Sequence, residues 1–384
     1  MSAYIHDALR TPRGKARPNG GLAGMKPQQL VGGLIDALEA RGHAPRKADG
    51  LLLGCVGQVG AQGGNIALVS KLYAGLDDAA FAYTLNNYCV SGLTAIGQAA
   101  QMVSSGAASS LLAGGVEMMS HVPFMADKAD YYTDADLEPR ARFLLVALAA
   151  DRLAEDSGIT RHELDAVTLT SQQRTAAAED SALVASRIAV NALTKDEAAR
   201  ASTRAESLAA MPAAFATMAP HYAGALDGRE IAYSHTLAHA PPMTDGAALA
   251  LVSADPKGAR ARIVASVEIG GDPYASLTAG FDAMERVLIK AGLTLADMDR
   301  IEFMEAFAVV IAKFLRDYDV DPDRVNVGGG HLAKGHPMGA TGAILLSSLL
   351  DALDASKGRF GMVVATGAQG IGSAMIVERM DAQA

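Results

Sequence analysis

Apolar and polar positions along the chain alternate between two periods. The stretch 28–41 repeats its apolar residues at helical spacing and is followed by a short apolar run over 50–56 that reads as a strand. The same succession recurs where the helical stretch 93–105 precedes the strand-like run 110–114. Strands alternating with amphipathic helices predict parallel β/α layers. Leu38–Asp49 (LEARGHAPRKAD) and Leu288–Asp299 (LIKAGLTLADMD) place a Leu, a Gly and an Asp at equal intervals, at an offset of 250 residues. That offset also lays Cys89-Val90-Ser91-Gly92 over Gly339-Ala340-Thr341-Gly342, each at a strand-to-helix turn. The strand-like Leu111-Leu112-Ala113 and Val363-Val364-Ala365 follow at a shift of two. The reading is two homologous α/β halves, 1–118 and 252–384, separated by an Ala-rich, helix-forming segment, 119–251, without clear strand alternation. Such an insertion is placed to cover a site.

Composition narrows the class. Of 384 residues, 50% are hydrophobic and 20% charged, which excludes a disordered or collagen-like chain. A net charge of −9 without a dense Lys/Arg run leaves no footprint for nucleic acid, and an anionic substrate then needs a local basic patch. No apolar run reads as long as the ~18 residues of a membrane span, and the start of the chain lacks the pattern of a secretory signal. Two cysteines, Cys55 and Cys89, provide neither a disulfide framework nor zinc spacing. The expected location is a reducing cytoplasm. His235 and His239 stand four apart but run into Pro241-Pro242 with no third ligand in view, so no metal is expected.

The candidate chemistry sits in glycine-rich turns at predicted helix N-termini, where N–H groups are unpaired and the dipole is positive. Cys89 lies in Asn86–Gly92 at such a mouth, where a lowered thiol pKa is expected to make it a nucleophile. Cys55, between Gly54 and Val56 in an apolar strand, reads as a buried structural residue. His336 lies in Gly335-His336-Pro337, and a Cys and His meeting across the halves would form a nucleophile–base pair. His331, five residues earlier, reads as a surface turn histidine. The turn Gly367–Gly372 reads G-x-x-G-x-G without a following crossover helix or acidic residue, so it fits a dinucleotide poorly. It serves better as a source of backbone N–H donors for an oxyanion.

Taken in order, Arg10-Thr11-Pro12, Asn87-Tyr88-Cys89-Val90-Ser91-Gly92-Leu93, Ala113–Ser120 (AGGVEMMS), Ser171-Gln172-Gln173-Arg174, Met243-Thr244-Asp245-Gly246-Ala247, Glu305-Ala306-Phe307-Ala308, Gly335–Gly342 (GHPMGATG) and Gly370–Met375 (GIGSAM) resemble the thiolase family of acyl-CoA C-acyltransferases over nearly the whole chain. The resemblance implies an α/β fold, the duplicated five-layer αβαβα arrangement with an inserted loop domain over a pantetheine channel, as a homodimer or homotetramer. It implies an acyl group carried on Cys89, activated by His336, with the thioester carbonyl held by the backbone N–H groups of Cys89 and Ala368. Coenzyme A and acyl-CoA thioesters are then substrates, not permanently bound cofactors. Arg200, Ser207, Phe215 and Phe307 are the expected coenzyme A contacts.

Two positions depart from the family's pattern. Met304 stands where the family has Asn or His before Glu-Ala-Phe, and a thioether does not donate a hydrogen bond. Thr366 stands where the family has a second cysteine acting as general acid/base, and a hydroxyl shuttles protons poorly at neutral pH. His239-Ala240-Pro241 replaces the family's Asn-Ala-Ser, and the stretch Gly280-Phe281-Asp282-Ala283 differs from the family's Gly-Pro-rich loop. The expectation is acylation of Cys89 with slow or atypical thiolysis and condensation. The alternatives are transfer of the acyl group to water or another nucleophile, and an acyl-CoA-binding protein without catalysis.

Overall fold

In the computed structural model, residues 2–380 are described; Met1 and residues 381–384, which end the expected C-terminal half, lie outside them. The strands are β1 (Tyr4–Arg10), β2 (Gly14–Lys15), β3 (Gly50–Gly54), β4 (Phe81–Leu85), β5 (Ser110–Met118), β6 (Thr244–Ser253), β7 (Ala261–Gly270), β8 (Arg300–Phe303), β9 (Phe360–Gly367) and β10 (Ile371–Arg379). The helices are α1 (Pro27–Ala40), α2 (Ile66–Ala74), α3 (Ser91–Ser105), α4 (Val146–Ser157), α5 (Arg161–Ala178), α6 (Ala205–Ala209), α7 (Ala223–Leu226), α8 (Ala279–Ala291), α9 (Ala308–Asp317), α10 (His331–Lys334) and α11 (Thr341–Ser356).

The strand order is β4-β3-β5-β6-β1 in one half and β7-β10-β9-β8 in the other, with β1 and β7 meeting over two residue pairs. Parallel pairing of β3 with β4 and β5 is matched by parallel pairing of β8 with β9, while β6 and β10 run antiparallel beside them. The duplication reaches single hydrogen bonds. Asp49 Oδ2 accepts from the amides of Ser109 and Ser110 at 2.6 and 3.2 Å, and Asp299 Oδ2 from those of Arg359 and Phe360 at 2.6 and 3.1 Å. Each aspartate ties the start of one strand to its parallel neighbour.

The central layer is the pair α3 and α11. Helix α3 packs on β3, β5 and β6, α11 on β8, β9, β1 and β6, and the two helices pack on each other. Glycines set how closely they meet. A Cβ at Gly92 would lie 2.8 Å from Gly339 O, and one at the equivalent Gly342 would lie 2.6 Å from Leu93 N, so either side chain would force the helices apart. Helices α1 and α2 cover one outer face and α8 the other.

One sequence expectation changes here. Residues 244–251, read as the end of the covering segment, belong to β6, which lies between β5 and β1 and pairs with both. Nine of its ten residues are buried, so no alternation of polar and apolar positions marks it as a strand. The segment Met338–Ser356, which contains α11, is long and apolar enough by length and composition alone to cross a membrane, but it is mostly buried within the core.

Candidate active site

The turn that carries Cys89 is held by its own side chains. Ser91 Oγ accepts from the Asn87 amide at 2.8 Å and donates to Tyr88 O at 2.6 Å, while Asn86 Oδ1 accepts from the Tyr88 amide at 3.0 Å. These bonds keep Tyr88 at φ 47°, an unfavourable conformation for a bulky side chain, immediately before Cys89. On the opposite half, Gly335 has φ +99° and packs on Thr244, where a Cβ would approach Cγ2 to 2.2 Å. Only glycine fits there. The His336 amide then donates to Pro242 O at 2.8 Å, which fixes the ring's starting point.

Cys89 and His336 meet. His336 Nε2 lies 3.2 Å from Cys89 Sγ, and its Nδ1 lies 2.8 Å from Thr341 Oγ1. With Nδ1–H donating to that hydroxyl, Nε2 is free to accept the thiol proton. Thr341 escaped the sequence reading; its signal was a hydroxyl five residues past the histidine, at the start of α11.

The expected low thiol pKa is overturned. Cys89 is open only toward the cavity, and burial pushes its thiol up to about 12, with Glu117 adding to the rise and its own amide opposing it. Helix α3 begins two residues later, too weak a dipole effect to outweigh desolvation. Burial, helped by Arg13, lowers His336 to about 4. The resting pair is therefore a neutral thiol beside a neutral imidazole.

The thiol opens into a cavity of about 230 Å³ whose wall includes Met119, Phe124, Leu145, Phe307, Thr366 and Ala368. Phe215, Pro241 and Met243 belong both to this wall and to that of an outer cavity lined by Lys15, Arg17 and Arg200. The two cavities thus adjoin across these three side chains, the outer one basic and the inner one reaching Cys89. Arg200 and Ser207 line a further hollow beside the outer cavity, although the Ser207 hydroxyl donates to Arg204 O at 2.7 Å. Phe307 packs edge-on against Phe215 at 6.1 Å between ring centres. Lys15 and Arg17 were not singled out in the sequence, though they lie within five residues of Arg10-Thr11-Pro12.

Neither substituted position offers a free polar group. Thr366 is fully buried and its hydroxyl donates to Leu277 O at 2.9 Å. Met304 is fully buried within the apolar core and takes no part in the cavity wall. Ala368 lies in the turn where Gly367 packs against the nucleophile; a Cβ at Gly367 would be 3.7 Å from Cys89 N. Cys55 is buried as expected, its thiol 3.8 Å from Glu117 Oε1.

His331 is not a surface residue. It is fully buried, its ring 5.7 Å from that of His336, and burial with Arg13 beside it holds its pKa well below the usual value. Neither ring nitrogen has a protein partner, and the ring does not reach the cavity wall. His235 and His239 pair with carboxylates of the segment 119–251: His235 Nδ1 lies 2.8 Å from Asp151 Oδ1 and His239 Nε2 2.7 Å from Asp165 Oδ1. Among the described residues no group of three or more His, Cys, Asp or Glu side chains could hold a metal ion.

A duplicated α/β fold with a cysteine and a histidine meeting between its halves defines an acyl-CoA acyltransferase architecture, and comparison with known proteins agrees. Residues 3–255 match the family model "Thiolase, N-terminal domain" and residues 257–379 match "Thiolase, C-terminal domain". The chain belongs to the thiolase family. It is 34% identical to beta-ketoadipyl-CoA thiolase of Acinetobacter baylyi, over 98% of this chain and 99% of that one. It is 31% identical to 3-ketoacyl-CoA thiolase of Shewanella baltica, with the same coverage. Among solved structures it resembles the Bacillus anthracis acetyl-CoA acetyltransferase (TM-score 0.84, 29% identity) and human mitochondrial 3-ketoacyl-CoA thiolase (TM-score 0.85, 27% identity), each over 99% of both chains.

Proposed function

We propose that the protein transfers acyl groups from coenzyme A thioesters through an acyl-Cys89 intermediate, with the carbon–carbon half-reaction of thiolases slow. The observation that carries this reading is the 3.2 Å contact between Cys89 Sγ and His336 Nε2 in a cavity that adjoins an outer, basic one. As Sγ attacks the thioester carbonyl, the thiol proton passes to Nε2. The carbonyl oxygen gains charge beside the backbone N–H groups of Cys89 and Ala368, which we assign as its donors. When the tetrahedral adduct collapses, the coenzyme A sulfur leaves and takes the proton back from His336. Lys15, Arg17 and Arg200 would meet the coenzyme A phosphates, Ser207 the outer end of the ligand, and Phe215 and Phe307 its pantetheine arm. The covering role is assigned to the segment between Met118 and β6.

Carbon–carbon bond making or breaking needs a second acid/base for the substrate's α-carbon. Cys89 and His336 are the titratable groups in the cavity wall, and the Thr366 hydroxyl is already engaged. That supports a second reading, in which a heteroatom nucleophile such as water, an alcohol or an amine takes the acyl group with His336 as its base. Free acid, ester or amide without a new carbon–carbon bond would identify it.

The test is intact-protein mass spectrometry after exposure to a panel of acyl-CoA and 3-ketoacyl-CoA thioesters. An acyl adduct is expected on the native chain and none on Cys89→Ala; an equal adduct on both would remove the reading. We also infer a homodimer or homotetramer. Strand β4 ends its sheet with an open edge, and beside it α2 exposes Leu68, Leu72 and Tyr73, an apolar surface suited to a second copy.

A further inference from the structure

We infer that the acyl group this protein accepts is uncharged at its far end, and that acyl chains ending in a carboxylate are rejected. The inference rests on the acyl-Cys89 reading and adds the substrate class to it. Beyond the reacting pair and Thr366, every residue in the wall of the inner cavity is apolar. Met338 comes from the C-terminal half, Leu277 from that half's loop before α8, and Met119, Phe124 and Leu145 from the covering segment. None of these can pair with a carboxylate.

None of the guanidinium groups on neighbouring elements lines the cavity: Arg142, Arg152 and the buried Arg13 near His336 are all absent from its wall. Arg142 Nε and Nη2 donate to the carbonyls of Leu137 and Ala135 at 2.7 Å each. Arg152, on the helix that begins at the cavity wall, is stacked 3.6 Å over the ring of Tyr274. The basic residues Lys15, Arg17 and Arg200 line the adjoining outer cavity, where the nucleotide part of a thioester would sit. An ω-carboxylate carried on Cys89 would therefore be taken from water into an apolar wall with no counter-charge, a costly transfer. A methyl terminus gains by the same burial. Beta-ketoadipyl-CoA thiolases, at 33–34% identity, carry a dicarboxylic substrate in their names; the wall described here separates this chain from that chemistry.

The experiment compares acylation rates of the native full chain by hexanoyl-CoA and adipyl-CoA, equal in chain length and differing in the terminal carboxylate, followed by intact mass at pH 7.5. Hexanoyl-CoA is expected to acylate Cys89 at least about 10²-fold faster. A complementary arm lowers the pH toward 5, where the terminal carboxyl begins to protonate. The adipyl rate is expected to rise relative to the hexanoyl rate. Equal rates, or faster acylation by adipyl-CoA, would overturn the inference while leaving the acyl-enzyme intact. No adduct from either thioester, in protein that still binds coenzyme A, would overturn the acyl-enzyme reading and this inference with it.

Discussion

Cys89 and His336 are each shifted away from the charged form, and this sets how the pair should respond to pH. The thiol at about 12 does not ionise by itself near neutrality, and the imidazole at about 4 stays available as a base. Acylation should therefore be flat from about pH 5 to 9 and fall toward pH 4 as His336 is protonated and ceases to accept. A free thiol would instead gain rate through about pH 8.5. Stopped acylation across this range, read by mass, distinguishes the two profiles. Thr366 and Met304 make separable predictions. Thr366→Cys places a thiol in the cavity wall and should raise thiolysis of a 3-ketoacyl-CoA by about 10²-fold or more. Met304→Asn puts an amide into the apolar core away from the cavity, and by itself should lower stability by about 1–3 kcal/mol with little gain in rate. Coupled product assay and thermal unfolding measure these outcomes.

Elements meet at the site through Glu117, at the inner end of β5. Its carboxyl oxygens accept from the amides of Val56 (2.9 Å), Gly57 (3.0 Å) and Gly339 (2.9 Å) and from Gln62 Nε2 (2.7 Å). One buried side chain thus ties the loop after β3 to the turn that carries His336. Glu117→Ala leaves those donors without an acceptor and should destabilise by about 3–5 kcal/mol, visible as a lower urea midpoint. Gln369 ties another turn. At φ 60°, its Nε2 donates to Tyr131 Oη at 2.7 Å and to Arg142 O at 3.0 Å, joining the last glycine-rich turn to the covering segment. Sequence marks both turns as glycine-rich, but their partners are 55 to 238 residues away.

Under the proposed mechanism the two halves work only in contact, because Cys89 comes from one and His336 from the other. Their spacing is set where α3 and α11 cross at Gly92 and Gly342. Gly342→Ala drives a methyl group into the Leu93 backbone, at an expected cost of about 1–3 kcal/mol. The helices must separate, which also moves His336 from Cys89. Acylation should fall more steeply than stability, and measuring both on the same sample checks it.

The duplication, the parallel β/α order and Cys89 and His336 as residues that meet were legible from the chain, since each is local: a period, a glycine-rich turn, an offset of 250 residues. The motifs also marked Met304 and Thr366 as departures. What the sequence could not decide depends on what surrounds each group. Burial made Cys89 a neutral thiol where a helix N-terminus suggested a thiolate, and hid His331 where a turn suggested the surface. It also made β6 a strand covered on both faces, erasing the alternation that reveals strands, and walled the cavity at Cys89 with apolar side chains from the C-terminal half and from the segment between the halves. Desolvation and long-range packing are properties of neighbours that the chain brings together only on folding.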